Sequence, residues 1–263
     1  MSNELIEKQQ LPDYLIEVAK AGGPTGLEAM RSYLTPPRLK IMQPMRKDPF
    51  KSFPEGAVVV TPTNEIVCGK DGFFAVTVLY TYDEFCVHNP YKRPEGMPFI
   101  RERTFDFHSE IAQKCRNFVS EPMPEDDTKE IKYMTHINAL VAIHGIDALK
   151  NIPVMLVQSG GEAKSGRKML DLLAVKTSNG TPIYVHNLMC QEATHKPAKG
   201  GDTWEGLNWT NPTADVDVGR FVTAEQFPVF KKLYEQCEAD KAKFVVNFDD
   251  EIEPVDTVTS DTL

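Results

Sequence analysis

Residues 72–88 read GFFAVTVLYTYDEFCVH. Aromatic and β-branched side chains dominate the run, and such residues fit a pleated, half-buried surface better than a helix. Alternation puts Phe74, Val76, Val78, Tyr80 and Tyr82 on one face of a long strand. Upstream, residues 57–60 (AVVV) and 65–68 (EIVC) are short strands around a Pro-Thr-Asn turn. Downstream, 101–105, 131–144 and 152–158 are strands and 107–119 is a helix, with a long loop over 121–130. Residues 164–176 have helical spacing, with Met169, Leu172 and Leu173 on one side. Asn179-Gly180 marks a turn, and 183–195 and 202–210 are the last strands.

A final helix spans 223–241, where Thr223 and Gln226 have the spacing of a capping box and Pro228 puts the start near Phe227. The chain is thus expected to be mostly β with added helices. Its order, with a helix between the third and fourth strands of a five-stranded set, is that of an OB-like barrel. A split α+β sheet is the alternative.

The flanks differ from this middle. Residues 1–30 form an N-terminal arm with a short helix over 11–19 and a flexible AGGPTG break at 21–26. The folded domain is expected over 31–246, and 247–263 as a disordered acidic tail. Residues 244–263 hold Asp249, Asp250, Glu251, Glu253, Asp256 and Asp261 and no Lys or Arg. The whole chain of 263 residues has a net charge of -9; without that segment 32 acidic residues face 29 basic ones, a net of -3. The negative total therefore does not exclude nucleic acid, since positive charge can gather on one face. Residues 31–51 carry a net of +5 and four prolines, which favours an extended, edge-like path.

Several chemistries are set aside. Five scattered cysteines fit no disulfide framework and point to a reducing cytosolic compartment. No apolar run approaches the roughly 20 residues of a membrane span. Gly161 and Gly166 have phosphate-loop spacing, but Arg167 and Lys168 follow, so no hydroxyl stands ready to hold Mg²⁺. Cys86-Phe-His88 and the Cys190–His195 stretch are the closest Cys/His groupings, and no CxxC or HxxxH pair accompanies them. No metal or other cofactor is expected, and no catalytic motif appears, so the chain is not read as an enzyme.

What remains is cations interleaved with aromatic rings. Residues 85–107 carry Lys92, Arg93, Arg101 and Arg103 beside Tyr91 and Phe99. Residues 193–209 place Lys196 and Lys199 before a Gly-Gly turn and Trp204. Lys164, Arg167 and Lys168 make a third basic group. Binding an unpaired strand needs cations for phosphates and ring faces for bases, and Trp204 and Tyr82 are the stacking candidates. Trp209 reads as core.

A family resemblance is carried by LPDYL (11–15), PPRLKIMQP (36–44), GAVVVTPTNEIV (56–67), IPVMLVQSG (152–160), GRKMLDLL (166–173) and the 179–209 run ending KGGDTWEGLNW. In these the chain resembles a group of bacteriophage single-stranded DNA-binding proteins. The resemblance implies an OB-like core with an acidic C-terminal tail, and a nucleic-acid surface including Arg38, Lys40, Arg167, Lys168, Lys199 and Trp204. It further implies single-stranded DNA as partner, replication or recombination proteins recruited by the tail, and the host cytoplasm as the place of action. The chain departs from the pattern at its end, SDTL, which lacks the terminal aromatic of several such proteins. A homodimer through 223–241 is open, and the rival readings are a phage protein that binds a host protein or a virion component.

Overall fold

The computed structural model describes residues 36–44, 50–90, 92–94, 96–196, 203–212 and 218–240. The expected N-terminal arm, Lys199 and the six tail carboxylates, Asp249, Asp250, Glu251, Glu253, Asp256 and Asp261, lie outside the described residues. The chain divides into units 1–35 and 36–263, and all the described residues belong to the second.

The fold is mostly β. In chain order come β1 (Arg38–Ile41), β2 (Val58–Thr61), β3 (Glu65–Cys68), β4 (Phe73–His88), β5 (Ile100–Thr104), α1 (Glu110–Arg116), β6 (Ser120–Met123), β7 (Asp126–Ile143) and β8 (Pro153–Gln158). After them come α2 (Ala163–Lys176), β9 (Asn187–His195), β10 (Trp204–Thr210) and α3 (Gln226–Asp240). The strands join one sheet along the path β10-β9-β4-β7-β8-β1-β2-β3, with β5 beside β4 and β6 beside β7. Among the described residues the ladder does not close on itself. Gln43, just past β1, instead reaches β10 through its side-chain amide: Nε2 donates to the Glu205 carbonyl at 2.7 Å and Oε1 accepts from its N–H at 3.0 Å.

The long antiparallel pair β4/β7 organises the sheet. One edge of β4 follows β7 from Val76 to His88, while its other edge serves β9 at Phe73–Thr77 and β5 at Phe85–His88. The alternation expected along residues 74–82 breaks at one point. The register shifts between Val78 and Tyr80, a β-bulge that inserts Leu79. Phe74, Val76 and Val78 therefore pack in one core with Ile137, Val141, Leu156 and, from α2, Met169 and Leu173. Leu79, Tyr80 and Tyr82 join a second cluster with Leu140, Met155 and, from α3, Phe230 and Cys237. Trp209 is fully buried in the first core. Each such large apolar side chain contributes about 1.5–3 kcal/mol by leaving water.

Residues 121–130 are not a loop. Ser120–Met123 pairs back on the start of β7, whose run DDTKE is mostly exposed at an edge and so shows no apolar alternation. The helix expected over 107–119 is shorter, because Ser109 caps α1 by accepting from the Ala112 N–H. At α3 the capping box forms reciprocally: the Thr223 N–H donates to Gln226 Oε1 and the Gln226 N–H donates to Thr223 Oγ1. Pro228 is the third residue of α3, near its N-terminal end.

Candidate functional site

The pleat gathers a set of side chains on the sheet face that α3 partly covers. From β4 come Tyr80, Tyr82, Glu84, Cys86 and His88, alternating as strand geometry requires. Across β7, Asn138 stands opposite Tyr82 and His136 opposite Glu84. The β1 register pairs Arg38 with Met155, and the Tyr82 hydroxyl lies 3.9 Å from Met155 Sδ, which sets Arg38 next to Tyr82. Arg103 of β5 stands opposite Cys86 and pairs with the buried Glu84 carboxylate at 3.1 Å.

Aromatic rings run in series over this face. Phe105 lies 6.0 Å from Tyr82, Tyr82 6.2 Å from Tyr80, Tyr80 6.3 Å from Tyr234, and Tyr234 5.0 Å from Tyr184. The α3 end of this series is packed; the Phe105 end is open, with that ring 45% exposed. Burial pushes the Tyr82 phenol up, helped by Glu84 and Tyr80, while the Arg103 and Arg38 charges pull the other way. Two cations from distant strands therefore act on one half-buried ring. Asn138 is buried with neither side-chain polar atom hydrogen-bonded.

Of the other basic residues read from the sequence, Lys40 sits 4.5 Å over the Phe50 ring. Arg101 makes a two-pronged pair with Glu125, both contacts at 2.8 Å. Lys92 is exposed in the loop after β4. Arg93 does not fit a phosphate-contacting role. It is buried, its Nε donates to the Met97 carbonyl at 2.7 Å, and its guanidinium lies over Phe99, so it braces that loop.

Lys164, Arg167 and Lys168 lie on α2, away from the Tyr82 face, and Lys196 is exposed at the end of β9. Arg167 lies over the Phe118 ring at 5.7 Å. Trp204, expected to stack on bases, is already engaged. His195 stacks on it at 5.6 Å with the planes 17° apart, and its Nε1 donates to Glu162 Oε1 at 2.7 Å. The same carboxylate takes the Leu207 N–H at 3.0 Å, and the Ser165 hydroxyl donates to the Leu207 carbonyl. Trp204 thus ties the turn before α2 to β10.

The glycine spacing of 161 and 166 has the same origin. A Cβ at Gly161 would meet the indole at 2.9 Å, and one at Gly166 would meet Ile137 at 3.0 Å. These glycines permit close packing, and the phosphate-loop look of the segment is incidental.

Sequence reasoning also misses a buried cluster. His88 Nε2 lies 2.8 Å from His136 Nε2, and Cys86 Sγ lies 3.7 Å from His136 Nδ1. Burial, then His136 and Arg103, hold the His88 imidazole down at about 3, so it is neutral at ordinary pH. Burial pushes the Cys86 thiol up. The Cys-x-His spacing is visible in the chain, but only the β4/β7 register brings in His136. A pair of carboxyl groups sits in β9 and β10. The Glu192 carboxyl is pushed up to about 7, first by burial and then by Glu205, which itself bonds Lys70 and Thr194.

No family model, no curated protein and no solved structure matches the chain. Among the described residues no helix is long and apolar enough to cross a membrane.

Proposed function

We propose that the chain is a single-stranded DNA-binding protein that coats unpaired strands without sequence preference and without catalysis. One observation carries the reading: Arg38, Tyr82, Arg103 and Phe105 converge on one sheet face from three separate parts of the sequence. Cations near a phosphate track and an open ring at its edge are what non-specific binding of an unpaired strand requires. The five-strand order β10-β9-β4-β7-β8, with α2 between β8 and β9, supports an OB-like core to which β1–β3 are added along β8. Arg38, Lys40, Lys92 and Arg103 then serve phosphates, and Tyr82 and Phe105 serve bases.

The motif resemblance favours a bacteriophage protein acting in replication or recombination in the host cytoplasm. The six tail carboxylates then compete with DNA for the basic face as a tethered anion and recruit partner proteins. Anisotropy titration of a labelled single-stranded oligonucleotide and its duplex, over a salt series, tests the reading. Single strands are preferred, affinity falls with salt, and deleting residues 247–263 tightens binding. Absence of binding by the tail-deleted protein at low salt contradicts it.

A further inference from the structure

We propose that Cys86, His88 and His136 form a site for one zinc-type divalent transition ion. Residues two apart on a strand share a face, so Cys86 and His88 project together from β4. The antiparallel register sets His136 of β7 opposite Glu84, one step along on that same face. The three side chains, one donor atom each, lie within 4.8 Å of one another and all are buried. A tetrahedral ion with bonds of about 2.0–2.1 Å to nitrogen and 2.3 Å to sulfur holds its donors about 3.3–3.6 Å apart. To admit it the imidazole nitrogens at 2.8 Å need to open by about half an ångström, and the widest donor pair, within 4.8 Å, needs to close by about an ångström.

The donor set itself selects the ion. One thiolate and two imidazoles suit Zn²⁺ or Co²⁺ and disfavour Mg²⁺ and Ca²⁺. The surroundings resemble an outer shell. Glu84 Oε2 stands 3.5 Å and Cys86 Sγ 3.7 Å from His136 Nδ1; with the carboxylate keeping Nδ1, Nε2 is left for an ion shared with His88, and the thiol turns from Nδ1 toward it. Arg103 holds Glu84 in turn at 3.1 Å. Binding forms a metal–sulfur bond and releases the Cys86 thiol proton to solvent. Three protein donors leave one of four positions for a water.

The ion would fasten the segment between β4 and β5. Phe99 packs its ring 4.6 Å from that of His88, and Asn89 Nδ2 donates to the Pro98 carbonyl at 2.7 Å. Fixing His88 to β7 therefore fixes the loop that carries Lys92 beside the Arg103 face. The proposal stands whether or not the chain binds DNA, because its test reads the metal alone.

The test is Co²⁺ titration of the reduced full-length protein after stripping with a chelator. One equivalent should bind, with a thiolate-to-cobalt charge-transfer band and tetrahedral d–d bands, and Zn²⁺ should abolish both. Cys86→Ser should lose the charge-transfer band, and Glu84→Gln should weaken Co²⁺ binding about 10–100-fold. Failure of stripped wild type to take up one equivalent, or a charge-transfer band that survives in Cys86→Ser, overturns the proposal. His88→Gln provides a second variant should Cys86→Ser not fold: loss of tight binding upholds the site, and unchanged affinity overturns it.

Discussion

The Tyr82 face and the Trp204 corner look alike in sequence, since each sets aromatic rings among Lys and Arg. They differ in what the rings already do. Trp204 has His195 on its ring and Glu162 on its N–H, and Gly161 packs against its edge. Tyr82 sits in a series of rings that ends at the exposed Phe105, with Arg38 and Arg103 acting on it. A ring covered by a stacked neighbour supports the fold, while the exposed ring that ends the series, Phe105, has a face to offer. Spacing of cations and aromatics along the chain does not separate the two cases.

Trp204→Ala removes a large half-buried ring and the indole N–H from Glu162 Oε1, so it should cost about 3 kcal/mol of stability by denaturant unfolding. Oligonucleotide affinity of the folded variant should barely change. Tyr82→Ala should weaken single-strand binding of the folded variant by about 1–3 kcal/mol in an anisotropy titration. Arg38→Gln should lower the slope of log affinity against log salt by about 1, the effect of one lost phosphate contact. Lys164→Gln with Lys168→Gln, away from that face, should leave the slope nearly unaltered.

The corner region also carries a pH signature. The fold holds the Glu192 carboxyl at about 7 against an ordinary 4.5, so the folded state keeps a proton that the unfolded chain has lost. The stability this gives is complete below about pH 4.5 and is lost as pH rises through 7. His88, His144 and His186, all lowered first by burial, give a slope of the opposite sign. The contribution is therefore read as a difference: urea midpoints of Glu192→Gln relative to wild type should climb between pH 5 and 7.

Much of the fold was legible because local signals agreed. The β-rich run at 72–88, the helical spacing of 164–176 and the Thr223/Gln226 cap all have direct counterparts. The Tyr82 face was legible only as scattered residues. Its assembly depends on the bulge at Leu79, and a register shift leaves no mark in composition. The same holds for His136, which meets His88 by strand pairing over a separation of 48 residues. The β6–β7 hairpin stayed hidden because its exposed edge carries charge, which protects edges from aggregation and removes the apolar pattern.

Ultraviolet cross-linking of a single-stranded oligonucleotide to the full chain, with peptide mapping of the adducts, tests the central claim most directly. Cross-links at Tyr82 and Phe105, with Trp204 spared, are the predicted result. Cross-links confined to Trp204 and the α2 segment would contradict it.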